Sequence, residues 1–149
     1  MKNKSLRNIV NLEMIAFGDS VIVSRDPPEI ECHRDEKECY GNMVDLCAVE
    51  QFPEHAYEFI ACEESRMDYS ESGITDCGLP AQVDPEMLWN CAQSEEGLLL
   101  HLKAGDRTPQ DVPIPYVKIN GEPVDLSQTT FKKAVCAAYA GERPKACDE

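Results

Sequence analysis

Cys32-His33-Arg34-Asp35-Glu36-Lys37-Glu38-Cys39-Tyr40-Gly41-Asn42-Met43-Val44-Asp45-Leu46-Cys47 gathers three cysteines, a histidine and a run of alternating charge into one short stretch. Three chemistries compete for it: a disulfide framework, a metal site, or part of a thiol enzyme. Zinc ligands usually come in pairs two to four residues apart. No Cys-x-x-Cys occurs anywhere in the 149 residues, so neither a metal nor another cofactor is expected. From Glu36 the apolar period is helical, with Cys39, Met43, Leu46, Cys47 and Glu50 recurring at steps of three and four. On a continuous helix Cys39 and Cys47 stand about 12 Å apart. A disulfide needs Cα atoms within about 7 Å. These two cysteines therefore seek separate partners.

Working outward, 14 basic side chains against 28 acidic ones give a net charge of −14. Nucleic acid and anionic membrane surfaces would repel such a chain, so neither is expected as a partner. Hydrophobic residues at 42% and aromatics at 7% fit a folded domain, and a single domain over 1–149 is expected. Eight cysteines point to an oxidising compartment. Yet residues 9–17, the one apolar run near the start, are broken by Asn11 and Glu13 and do not read as a secretory signal. No segment approaches the roughly 18 apolar residues of a membrane helix.

Before the opening stretch, residues 9–17 read as a strand, because Val10, Leu12, Met14 and Ala16 alternate onto one face. Residues 24–31, with Pro27-Pro28, read as a connecting loop. Asn3-Lys4-Ser5 is a formal glycosylation sequon. After the stretch, Pro53 is expected to open a helix that buries Ala56, Phe59 and Ile60 and carries Cys62 near its end. Residues 63–76 are acidic and serine-rich and read as an exposed loop leading to Cys77. Asp84 caps the next helix, with Pro85 at its first position and Leu88, Cys91, Leu99 and Leu102 as its apolar stripe. Gly97 weakens this helix and Gly105 ends it. The period then changes to two. Residues 114–119, the Asn120-Gly121 dipeptide and Glu122-Pro123-Val124 form a hairpin signal. A final helix spans 126–140, with Phe131, Ala134, Val135, Ala138 and Tyr139 inward. Cys136 lies in its last turns and Cys147 beyond its stop, which favours a Cys136–Cys147 bond; spacing alone leaves the other pairings open.

The cysteines and the element order together resemble the gamma-interferon-inducible lysosomal thiol reductase family. Its motif runs Cys-Gln-His-Gly, two residues, Glu-Cys, two residues, Asn, four residues, Cys. The spacing is kept here by Cys32, Glu38, Cys39, Asn42 and Cys47; His33-Arg34-Asp35 replaces Gln-His-Gly. Ile114-Pro115-Tyr116-Val117-Lys118-Ile119-Asn120-Gly121 is similar to the family's Val-Pro-Trp-Val-Thr-Val-Asn-Gly. Cys62, Cys77, Cys91, Cys136 and Cys147 fall where the family carries its remaining framework cysteines.

The resemblance implies an α/β, thioredoxin-like fold with a disulfide-rich helical insertion over about 32–105. It makes Pro115 a cis-proline beside the redox centre, with Ile114 presenting backbone to an extended substrate. All eight cysteines become structural disulfides, and the partners become disulfide-containing proteins in a lysosomal or secreted setting. The family's Cys-x-x-Cys follows a first strand upstream of the region matching residue 9. The resemblance therefore implies that the first, central strand, the first helix and both catalytic thiols are missing, as in an N-terminally truncated chain. Cys32, flanked by His33 and Arg34, is a conceivable substitute nucleophile, but its place is a framework position. No catalytic residue is expected. His55 and His101 read as surface or helix residues, and Trp89 and Tyr116 as core or rim aromatics. Two functions follow: a thiol–disulfide oxidoreductase of this family, or a catalytically inactive, disulfide-stabilised luminal or secreted binding protein.

Overall fold

The computed structural model describes residues 4–148, with side chains from Leu6 onward; Asn3 of the sequon lies outside them. The protein is mixed α/β and rich in helix, with four disulfides and two two-stranded sheets among the described residues. It packs as two compact units: residues 14–111, and residues 1–13 with 112–149.

In the larger unit the antiparallel hairpin of β1 (Val21–Arg25) and β2 (Pro28–Glu31) precedes five helices. These are α2 (Glu36–Gln51), α3 (Ala56–Arg66), α4 (Glu71–Ala81), α5 (Pro85–Ala92) and α6 (Glu95–Arg107); the short α1 (Lys4–Arg7) belongs to the other unit. The helix starts follow from capping chemistry. Asp35 accepts from the N–H groups of Lys37 and Glu38, Ser70 from Gly73, Asp84 from Glu86 and Met87, and Ser94 from Glu96. Each cap satisfies donors that the first turn cannot. The core gathers Val44 and Ala48 of α2, Phe59 of α3, Ile74 of α4 and Leu88 of α5, all essentially inaccessible. A second cluster seats the hairpin: Ile22 and Ile30 pack on Phe17, Leu46 and Ala104. Arg25 of β1 pairs with Asp106 of α6.

Several expectations are corrected here. Residues 24–31 are not a loop: the chain turns at Asp26-Pro27, a cis peptide, and Arg25 and Pro28 are ladder partners. The prolines mark a tight hairpin turn. Residues 63–76 are not an exposed loop either. Glu63 to Arg66 complete α3, Met67 closes it at φ 54°, and α4 begins at Glu71. Acidic composition concealed the end of α3 and the whole of α4. The helix expected after Pro53 begins three residues later, at Ala56. The helix expected to run from Asp84 to Gly105 breaks at Gln93-Ser94, and Gly105 lies inside α6. Gly97 permits that break: a Cβ there would stand 2.6 Å from the Cys91 carbonyl oxygen. Leu99 is 44% exposed and leaves the stripe.

In the smaller unit β3 (Val117–Ile119) pairs antiparallel with β4 (Glu122–Val124). Asn120 and Gly121 between them have φ of 52° and 85°, the backbone that an Asn-Gly hairpin turn requires. Residues 114–116 lie outside the ladder. The last helix, α7 (Phe131–Ala138), is shorter than expected because Thr130 caps it by accepting from Lys133 N–H. Val135 and Cys136 are buried with Leu6 and Ala146, whereas Ala138 and Tyr139 face outward.

The strand expected over 9–17 does not form. Neither sheet offers it a partner. Ile9 and Val10 pack in the cluster of the smaller unit, while Met14 and Phe17 pack in the larger one. The apolar alternation belongs to a chain that serves two cores.

Candidate functional site

The motif residues lie just before α2 and along its first turns, and each has a structural task. Cys32, just before the cap, is bonded to Cys39 one turn inside, with Cα atoms 5.6 Å apart. Glu38 bends back so that its Oε2 accepts from the Arg34 N–H at 2.7 Å, extending the Asp35 cap by one donor. The Asn42 amide nitrogen lies 3.5 Å from the Phe17 carbonyl oxygen and 3.3 Å from His101 Nε2. Cys47 is fully buried and bonded to Cys91 of α5. Cys39 and Cys47 thus take separate partners, as the helix rise requires.

Of the two readings for His101, surface or helix, the helix one holds: it lies in α6 and is 1% exposed. Its ring meets the Phe17 ring edge-on at 5.3 Å. Burial holds its pKa down to about 4, so the imidazole is neutral above that pH and Nε2 can accept from Asn42. Asn42 therefore ties α2, α6 and the segment entering β1 together. The stripe Leu98, His101, Leu102 was the sequence signal for this placement.

A second buried polar group is carboxylic. Glu63 is fully buried on the stripe of Ala56 and Phe59, and neither carboxylate oxygen has a protein hydrogen-bond partner. Burial first, then the Asp68 charge, raises its pKa to about 7. Asp45 of α2 is also buried, and its carboxyl is raised well above the usual range by burial and by Glu64 and Glu63. Among the described residues no cluster of three or more His, Cys, Asp or Glu is placed to hold a metal ion.

The remaining cysteines join Cys62 to Cys77, across α3 and α4, and Cys136 to Cys147, at the end of α7. No free cysteine remains among the described residues, so no thiol is available as a nucleophile. In the smaller unit the Ile114–Pro115 peptide is cis, and Ile114 is 48% exposed. Tyr116 next to it is half-buried, with Lys118 Nζ 5.7 Å from its ring centroid. Trp89 is half-buried against Tyr40. It lines a cleft of about 480 Å³ with Glu71 and Glu86. His55 immediately precedes α3 and caps nothing with its side chain. Among the described residues, no helix is long and apolar enough to cross a membrane.

Comparison with known proteins gives this arrangement its context. The profile of the gamma interferon inducible lysosomal thiol reductase family matches residues 1–80. A gamma-interferon-inducible lysosomal thiol reductase of Carassius auratus is 29% identical, over 97% of this chain and 61% of its own length. A gamma-interferon-responsive lysosomal thiol protein of Arabidopsis thaliana is 29% identical, over 96% of this chain and 63% of its own. The corresponding thiol reductase of Mus musculus is 28% identical, over 93% and 59%. The chain thus spans about three fifths of the length of these relatives. On the family match across more than half its residues, the chain belongs to the gamma-interferon-inducible lysosomal thiol reductase family.

Proposed function

We propose that the chain is the disulfide-braced, substrate-side part of a thiol–disulfide oxidoreductase that reduces disulfides in protein substrates. The family match over residues 1–80 carries this reading. In such chemistry a low-pKa thiolate attacks a substrate disulfide and a second thiol resolves the mixed disulfide. The described cysteines are all paired, so that couple is supplied by a Cys-x-x-Cys outside these residues. The residues present serve binding and support. Ile114 and Pro115 flank an extended substrate in a thioredoxin-like arrangement, and the helical insertion over about 32–105 is itself braced by Cys32, Cys39, Cys47, Cys62, Cys77 and Cys91. Cys136 and Cys147 fasten α7. The relatives named for the lysosome support a lysosomal setting.

The pairing of every described cysteine also favours a second reading, a catalytically inactive luminal or secreted binding protein that keeps the same groove. The coding sequence upstream of Met1 separates the two. An in-frame Cys-x-x-Cys supports the reductase, and an in-frame stop codon there supports the binding protein. The groove itself is tested by fluorescence anisotropy with an unfolded, alkylated polypeptide at pH 5. Ile114→Asp, which places a charge on an exposed apolar position, is expected to weaken binding about tenfold, or about 1.4 kcal/mol. Equal affinity of variant and parent would remove Ile114 from the groove.

A further inference from the structure

The four disulfides are not equivalent. Cys47, Cys77 and Cys91 are buried in the core of the larger unit, so two of its three bonds have at least one sulfur enclosed by helices. In the smaller unit, Cys136 is buried in a cluster with Leu6 and Val135. Cys32–Cys39 is the exception: neither residue is buried, and residues 33–37 between them are all exposed. Its sequence separation is 7, against 44 for Cys47–Cys91. Chain-entropy scaling makes the shorter closure favour folding by a roughly fifteenfold smaller factor in the equilibrium constant. The cap survives its loss, because Asp35 and Glu38 hold the start of α2 through hydrogen bonds that involve neither sulfur.

We infer that Cys32–Cys39 is an exchangeable disulfide, a second site of thiol–disulfide chemistry on the helical unit, opened by an external dithiol while the other three bonds stay closed. The inference holds under either reading of the overall function. One thiolate of the dithiol attacks Cys32 Sγ, which lies outside the helix, and forms a mixed disulfide as the Cys32–Cys39 bond breaks. Cys39 leaves as a thiolate and takes up a proton. The Ile30 carbonyl oxygen, 3.7 Å from Cys39 Sγ, is placed to accept from the resulting thiol. The second thiol of the dithiol then attacks the mixed disulfide, closes a cyclic disulfide and releases Cys32 as a thiolate, which is protonated. Two electrons pass from the dithiol to the cysteine pair.

Graded dithiothreitol, followed by light and heavy iodoacetamide labelling and peptide mapping of the folded chain, tests this. Cys32 and Cys39 are expected to become labelled at least tenfold lower in reductant than any other cysteine, with the far-ultraviolet helix signal unchanged. Earlier or simultaneous labelling of Cys136 and Cys147, or of any cysteine in the core, would overturn the inference. Loss of helix signal as Cys32 and Cys39 open would also overturn it. As an independent check, the double variant Cys32→Ser/Cys39→Ser should keep one cooperative thermal transition within about 10 °C of the parent; loss of cooperative unfolding would count against it.

Discussion

Glu63 and His101 are buried titratable groups whose effects on stability oppose each other. Glu63 is raised from its ordinary 4.5 to about 7, so the folded state holds its proton more tightly than the unfolded chain. That stability is complete below about 4.5 and is lost as pH rises through about 7. Asp45 acts in the same direction. His101 is lowered from 6.5 to about 4, so its contribution is present above 6.5 and is lost as pH falls through about 4. Between pH 8 and pH 6.5 His101 stays neutral in the folded state and begins to protonate only in the unfolded chain, which offsets about 0.4 kcal/mol of the carboxyl gain and is common to parent and variant. Urea unfolding of the parent should gain about 1 kcal/mol across that interval from Glu63. Glu63→Gln should lose most of the gain and be the more stable form at pH 8. A variant that keeps the parent's slope would show that Glu63 is ionised in the folded protein. Neither residue's burial was read from composition, although both sit on a helical stripe, four residues after Phe59 and three after Leu98. Acidic and polar side chains were assigned to solvent, and here the periodicity was the better guide.

Among the elements, α2 organises the larger unit, and its start near Glu36 was legible. The Cys39–Met43–Cys47 period and the helix rise together forced separate partners on Cys39 and Cys47. Which partners they take was not legible, because it depends on how α5 returns against α2. The Cys47–Cys91 bond closes the longest loop, so Cys47→Ala/Cys91→Ala should cost roughly 4 kcal/mol, most of any pair. Urea denaturation measures it, and a cost no larger than that of removing Cys32–Cys39 would contradict the ranking. The break between α5 and α6 was half-visible. Gly97 was noticed as a weakness in one helix, whereas it allows the second helix to start against the Cys91 carbonyl oxygen. Gly97→Ala should therefore destabilise by about 1–3 kcal/mol, with thermal unfolding as the readout; an unchanged midpoint would mean the contact yields freely. The hairpin at residues 21–31 was missed because Pro-Pro was read as a loop signal when it marks the turn between paired strands. The Asn120-Gly121 hairpin was legible because its turn needs positive φ at two residues that both tolerate it.

On the scale of the whole molecule, the chain divides into two units whose disulfides stay inside each: three in residues 14–111 and one in residues 112–149. Sequence spacing identified the family and the framework cysteines. It did not reveal that residues 9–17 serve two cores, because alternation along a strand and division between two clusters leave the same apolar pattern. The proposed chemistry requires a thiolate pair, and every described cysteine is already bonded. The most direct measurement is reduction of a folded, disulfide-bonded protein substrate at pH 5 by the 149-residue chain, with a small-thiol reductant present. No turnover above the small-thiol background is predicted, while binding of the unfolded polypeptide persists. Sustained turnover by this chain would contradict the assignment of its catalytic thiols to residues outside it.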